Sequence, residues 1–189
     1  MTMAHEPATA ASAHASDKRE PAITGSAQAT SSDAATPSEQ TAQALAQATA
    51  AAMWARDQAA NALAMRILAV KPGYAKLTMT VRADMVNGHH ICHGGMIFTL
   101  ADTAFAYACN SRNHNTVASA CQIDFLAPAK EGETLQAEAV EQALAGRNGV
   151  YDVTVRSAGG QTVALFRGKS RRIAGEVIAG LQQADHAPQ

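Results

Sequence analysis

Residues 87–111 read N-G-H-H-I-C-H-G-G-M-I-F-T-L-A-D-T-A-F-A-Y-A-C-N-S, and two features of that stretch could do chemistry. Gly94 and Gly95 stand where an apolar helical run begins. The first N–H groups of a helix have no partner inside it and lie at the positive end of its dipole, and glycines there let a carbonyl oxygen approach closely. Such an end polarises a carbonyl and stabilises an oxyanion. Asp102 is the only full charge between Gly94 and Ser111. A carboxylate in apolar surroundings is costly unless it has a partner or a task, and attack on a carbonyl or activation of a water is a task. At 1.5 Å per residue the two features lie about 12 Å apart along one helix, so one carbonyl cannot touch both. The spacing therefore predicts that Gly94 works with Asp102 of the partner subunit, two sites per dimer.

The same residues have plainer readings. Asp102 could be a structural acid satisfied by backbone amides or by the Thr103 hydroxyl, and the glycines could simply start the helix tightly against a strand. His89, His90, Cys92 and His93 supply metal-ligand types but lack a second paired cluster, with His114 the one other histidine nearby, so no metal is expected. Cys92 and Cys109 have no readable acid–base partner and are expected to be inert thiols. Lys169, Arg171 and Arg172 could hold phosphates or be solvated edge charges that discourage strand pairing.

Around this stretch the chain must build a support. Alanine and glutamine over residues 39–53 predict a helix, and residues 57–63 a second short one. Residues 65–70 make a first strand, Lys71, Pro72 and Gly73 reverse the chain, and Leu77, Met79 and Val81 alternate with polar neighbours as a half-buried strand does. The apolar run from Gly94 to Ser111 predicts a helix buried on all sides. Val117, Ser119, Cys121, Ile123 and Phe125 are expected on one face of the next strand, which Pro128 closes. Strands at 133–144, 150–156 and 163–173 follow as a meander, with Gly168 marking a bulge or the close approach of another backbone. The sum is an α+β fold, a sheet of five to six antiparallel strands wrapped around one long helix. Uncovered sheet edges predict a dimer with a continuous sheet.

Composition bounds the partners. The 189 residues are 47% hydrophobic with a formal net charge of -1, which gives no basic field for nucleic acid and no polybasic patch for a membrane. Three cysteines in apolar surroundings suit reduced thiols, and no signal peptide or membrane span is readable, so a cytoplasmic protein is expected. Residues 1–38, rich in Ala, Ser, Thr and Gln, are expected to be a disordered extension, residues 39–175 the folded domain, and residues 176–189 a flexible tail.

The central stretch, together with S-A-C-Q-I-D-F-L-x-P at 119–128 and V-A-L-F-R-G-K-S-x-R-I at 163–173, resembles the hotdog-fold acyl-CoA thioesterases of the phenylacetate-catabolic (PaaI) type. The resemblance runs from about residue 53 to 175 and leaves the N-terminal extension uncovered. It implies hydrolysis of phenylacetyl-CoA or hydroxyphenylacetyl-CoA thioesters, with coenzyme A entering only as part of the substrate and no cofactor. It implies a catalytic set of Asp102 as the acid, Gly94 as the polarising amide, His93 just before it, and Asn87 as a polar positioning residue. It also implies a homodimer, and commonly a tetramer. The plainer reading of Asn87 with Gly88 is turn chemistry, and that of His93 is a hydrogen-bonding support for the loop. Two other functions compete, an acyl-CoA hydratase or dehydratase of the same fold and a non-catalytic acyl-CoA-sensing module.

Overall fold

A computed structural model describes residues 36–181. The expected extension therefore falls almost wholly outside the described residues, as do the last eight positions of the tail. Thr36 opens the described chain by capping α1 (Pro37–Trp54): its Oγ1 accepts from the Glu39 N–H while the Glu39 carboxylate accepts from the Thr36 N–H. This reciprocal cap with proline at the first helical position fixes the start two residues before the expected one. Asp57 caps the short α2 (Gln58–Ala62) by a single bond, its side chain accepting from the Ala60 N–H.

Next come β1 (Arg66–Lys71) and β2 (Tyr74–Thr80), joined at Gly73, whose φ of +72° is the left-handed conformation this turn needs. After a one-turn 3-10 helix at Ala83–Met85 the chain enters α3 (Gly94–Asn110), then β3 (His114–Phe125), β4 (Thr134–Ala145), β5 (Asn148–Ser157) and β6 (Thr162–Glu176). All six strands form one antiparallel sheet in the order β1-β2-β4-β5-β6-β3. This is the expected one-helix, one-sheet architecture, with β4, β5 and β6 as the meander.

Alternate residues of the strands, such as Leu77, Leu135, Val153 and Phe166, are buried against Leu100, Ala104 and Phe105 of α3. Phe105 sits edge-on to Tyr151 with ring centres 5.4 Å apart, and burial of each such side chain contributes about 1.5–3 kcal/mol. The far end of α3 is tied down by Arg112, which forks onto Glu141 at 2.6 and 3.1 Å while the Tyr151 hydroxyl donates to the same carboxylate.

Three expectations need correction. The helix is not buried all round: Thr99, Asp102, Thr103 and Ala106, spaced as one stripe of a 3.6-residue helix, are only half-buried. The sheet curls over the remaining faces and leaves that stripe beside β3. Gly168 is not a bulge, and what approaches it is not a backbone: a Cβ placed there would meet the Phe105 ring at 2.9 Å. The irregularity lies in β3, between Ala118 and Ala120, where the register on β6 slips. Cys121 therefore faces Gly168 and Ile123 faces Phe166, on the helix side, whereas Val117 sits opposite the exposed Arg171 on the outer side.

The two sheet edges differ. Against β1 lies α1, and Gln43 donates its Nε2–H to the Val70 carbonyl at 2.7 Å. The free edge of β3 pairs with no strand among the described residues, and Val117, Phe125 and Leu126 on and after it are 46%, 53% and 58% exposed.

Candidate active site

The loop before α3 is held by its own backbone. The Asn87 N–H donates to the Ile91 carbonyl at 2.9 Å, the Cys92 N–H to Ala129 at 2.7 Å and the His93 N–H to Met85 at 2.8 Å. The Asn87 side chain accepts from the His89 N–H at 2.9 Å and from the Ile91 N–H at 3.5 Å, an Asx turn that uses its carbonyl oxygen and leaves the amide NH2 free of partners among the described residues. His90, at φ +57°, completes the reversal.

His93 caps α3. Its Nδ1 accepts from the Gly95 N–H at 2.9 Å, so the ring is oriented by the helix it starts. The Met96 N–H bonds the His93 carbonyl at 2.9 Å, but the Gly94 N–H finds no acceptor among the described residues. It is an orphan donor at the positive end of a 17-residue helix. Phe125 packs over this glycine, and a Cβ at position 94 would lie 3.0 Å from its Cζ. Asn87, Gly94, Ile97, Phe125 and Leu126 line one open cavity of about 480 Å³, apolar on most walls.

Asp102 is not in that cavity. It lies two turns further on, in the half-buried stripe, about 12 Å away by the rise of the helix. Its neighbour is Cys121 of β3, whose Sγ stands 3.9 Å from Oδ1. No other donor among the described residues reaches the carboxylate. The Thr103 hydroxyl, one of the partners the structural reading offered, donates to the Thr99 carbonyl at 2.7 Å and does not serve Asp102. Burial raises the Asp102 carboxyl above the ordinary aspartate value, and the Cys121 contact offsets part of that rise.

The remaining residues singled out in the sequence lie elsewhere. Cys92 is buried with its thiol on the His93 carbonyl at 3.7 Å, and burial pushes the Cys109 thiol up to about 12. His89 and His90 are exposed, and the described residues hold no group of three or more His, Cys, Asp or Glu placed as metal ligands. Lys169 and Arg171 project from the outer face of β6, where Arg171 touches Asn148. The aromatic side chains of α3 are used in packing: Phe98 packs on Phe166, Phe105 on Tyr151 and Tyr107 on Trp54. Sequence reasoning had not connected Phe125 with Gly94 or Cys121 with Asp102. The two-residue period from 121 to 125 carried that signal, because it aims both side chains at the helix.

Residues 89–164 match the family model described as thioesterase superfamily. The chain is 52% identical over 126 residues to the acyl-coenzyme A thioesterase PaaI of Escherichia coli (strain K12), covering 67% of this chain and 90% of that one. The solved structure of the E. coli PaaI protein from the phenylacetic acid degradation operon superposes with a TM-score of 0.70, covering 71% of this chain and 97% of that one at 51% identity. The phenylacetic acid degradation protein PaaI of Thermus thermophilus gives a TM-score of 0.60 at 40% identity, over 62% of this chain and all of that one. A Streptococcus mutans UA159 protein solved with acetyl CoA gives 0.57 at 26% identity, over 59% of this chain and 90% of that one.

Proposed function

The chain belongs to the thioesterase superfamily, as a hotdog-fold acyl-CoA thioesterase of the PaaI type, and from that premise we propose which thioester it cleaves and which residues do so. The substrate is an arylacetyl-CoA, phenylacetyl-CoA or its ring-hydroxylated form. Two supports carry that choice: the association of the E. coli and T. thermophilus relatives with phenylacetic acid degradation, and an apolar cavity walled by Ile97, Phe125 and Leu126 that suits a flat ring.

The observation that carries the mechanism is the orphan Gly94 N–H opening onto that cavity. The thioester oxygen accepts from it, and the helix end stabilises the charge that grows on that oxygen as the carbonyl carbon becomes tetrahedral. Asn87, with its amide NH2 free in the same cavity, positions the acyl group, and His93 fixes the glycine turn rather than moving a proton. The carboxylate comes from Asp102 of the partner subunit, which takes the proton of the attacking water or attacks the carbon itself. The C–S bond then breaks and the coenzyme A thiolate leaves. In the first case it takes the proton that Asp102 removed from the water; in the second a water hydrolyses the acyl–Asp102 anhydride and its protons pass to the thiolate and solvent, so that either route ends in the free acid and coenzyme A. Each step uses only a preorganised amide and one carboxylate, so the chemistry asks for no cofactor.

Pairing through β3 is the arrangement that supports this assembly. Among the described residues the edge of β3 is the uncovered one of the two, it is flanked by exposed apolar side chains, and it borders the helix stripe that carries Asp102. The test is thiol release from phenylacetyl-CoA and from an aliphatic acyl-CoA of similar size, by the wild type and by Asp102→Asn. The aryl thioester is expected to have the higher kcat/KM, and Asp102→Asn to lower kcat by about 10²–10⁴. Equal turnover by both proteins would refute the mechanism, and preference for the aliphatic chain would refute the substrate.

A further inference from the structure

Resting on the role proposed for Asp102, we propose that Cys121 is a positioning residue for that carboxylate: its S–H holds Oδ1 and leaves Oδ2 free for the acyl carbon or the attacking water. The geometry starts from a separation of 3.9 Å between Sγ and Oδ1, at the long end for a sulfur donor. What gives the contact weight is the absence of alternatives among the described residues. Thr99 and Thr103, the hydroxyls nearest Asp102 on its own stripe, both turn back onto the helix, donating to the Gly95 and Thr99 carbonyls at 2.8 and 2.7 Å. Without Cys121 nothing among the described residues selects one orientation of the carboxylate over another, because rotation of a carboxyl about its last bond is broad and nearly free.

The fold brings the thiol there by a specific device. Cys121 lies opposite Gly168 across the β3–β6 pair, and the Phe105 ring fills the space where a side chain at 168 would stand, within 2.9 Å of it. Phe105 is one turn of α3 beyond Asp102. A larger residue at 168 would lift the helix from the sheet at this point and carry Asp102 away from Cys121. The register slip between Ala118 and Ala120 serves the same end, since it leaves Cys121 on the helix side while Val117 faces outward.

A thiol suits this position chemically. Cys121 is an exposed residue of the single chain, yet the partial desolvation of its thiol and the neighbouring carboxylate both raise its titration, so it stays protonated and remains a donor, where a thiolate would repel Asp102. It is also a weak donor. It can orient the carboxylate without bringing its basicity down to that of a fully bonded aspartate, and Asp102 does remain above the ordinary value. A carboxylate that must take a proton, or attack, works best when held but not quenched.

The test compares wild type, Cys121→Ala, Cys121→Ser and Asp102→Asn as phenylacetyl-CoA hydrolases across pH, with circular dichroism and sedimentation as checks on fold and assembly. Loss of the hydrogen bond removes an influence that favours the ionised form, so the acid limb of the kcat profile in Cys121→Ala should move to higher pH. Its kcat should fall roughly tenfold with KM within about twofold, the signature of a misaimed group rather than of lost binding. Cys121→Ser, which restores a donor, should recover to within about threefold of wild type. The inference is overturned if Cys121→Ala keeps wild-type kcat and an unmoved acid limb, if the loss falls on KM alone, or if serine is as impaired as alanine. Retained turnover in Asp102→Asn would instead overturn the reading beneath it, whatever Cys121 does.

Discussion

Two variants, each crippled alone, should restore one another when mixed. In Gly94→Ala the new Cβ stands 3.0 Å from the Phe125 Cζ and occupies the approach of the acyl oxygen to the orphan N–H. Loss of an oxyanion donor costs about 10²–10³ in kcat, and loss of a general base about 10²–10⁴, so either homodimer should be nearly silent. A mixed dimer is different. One of its two sites joins the unaltered Gly94 of the Asp102→Asn chain to the unaltered Asp102 of the Gly94→Ala chain, and the other site carries both defects. Doubly tagged dimers purified after co-expression should therefore turn over at about half the wild-type rate, and a randomly reassorted mixture at about a quarter. If each chain instead held a complete site, every site in the mixture would carry one defect. Activity that stays at the parental level while sedimentation shows mixed dimers would refute the shared site.

Other consequences can be checked by unfolding. The Asp102 carboxyl titrates above its unfolded value because burial opposes its charge, so its protonated form favours the fold and that benefit is lost as pH rises through the folded value. Asp102→Asn should accordingly raise Tm at neutral pH while lowering kcat as above, and the gain should shrink as pH falls; a lower Tm at neutral pH would contradict the desolvation argument. In Gly168→Ala the added methyl meets the buried Phe105 ring at 2.9 Å, which should destabilise the protein by about 1–3 kcal/mol in urea and slow turnover by displacing α3. An unchanged urea midpoint would show that the ring moves aside freely. Arg112→Ala leaves the Glu141 carboxylate in partly buried surroundings with the Tyr151 hydroxyl as its remaining partner and should cost about 1.5–3 kcal/mol. A change under about 0.5 kcal/mol would place the fork among ordinary surface pairs.

Much of the framework was legible in the residues, for physical reasons that particular elements make plain. Leu77 and Met79 alternate with polar neighbours because one face of β2 meets the core and the other meets water, and the run from Gly94 has helical length bounded by glycines and a capping histidine. The start of α1 was missed by two residues because the cap is Thr36, inside a stretch whose composition reads as unstructured. The facing of β3 was misread because a single slipped residue reverses every side chain before it, and nothing in V-A-S-A-C marks the slip. The expectation of a helix buried on all sides failed at Thr99, Asp102, Thr103 and Ala106. The overall apolar character of the run hid a stripe whose own members are two threonines, an acid and an alanine.

That distinction bears on the acid itself. A charge on a half-buried stripe and a strand with an open edge and exposed Val117, Phe125 and Leu126 are each unfavourable in a chain that stands alone. They border one another, joined at the contact of Cys121 with Asp102, and the pairing proposed above answers both with one surface. It would cover the edge, bury the apolar side chains, and bring the acid within reach of a glycine amide that no group among the described residues uses. Gly94 and Asp102 lie on one helix too far apart to share a carbonyl, so under the proposed pairing the length of helix that separates them within a chain would also set the spacing at which two chains present them to each other.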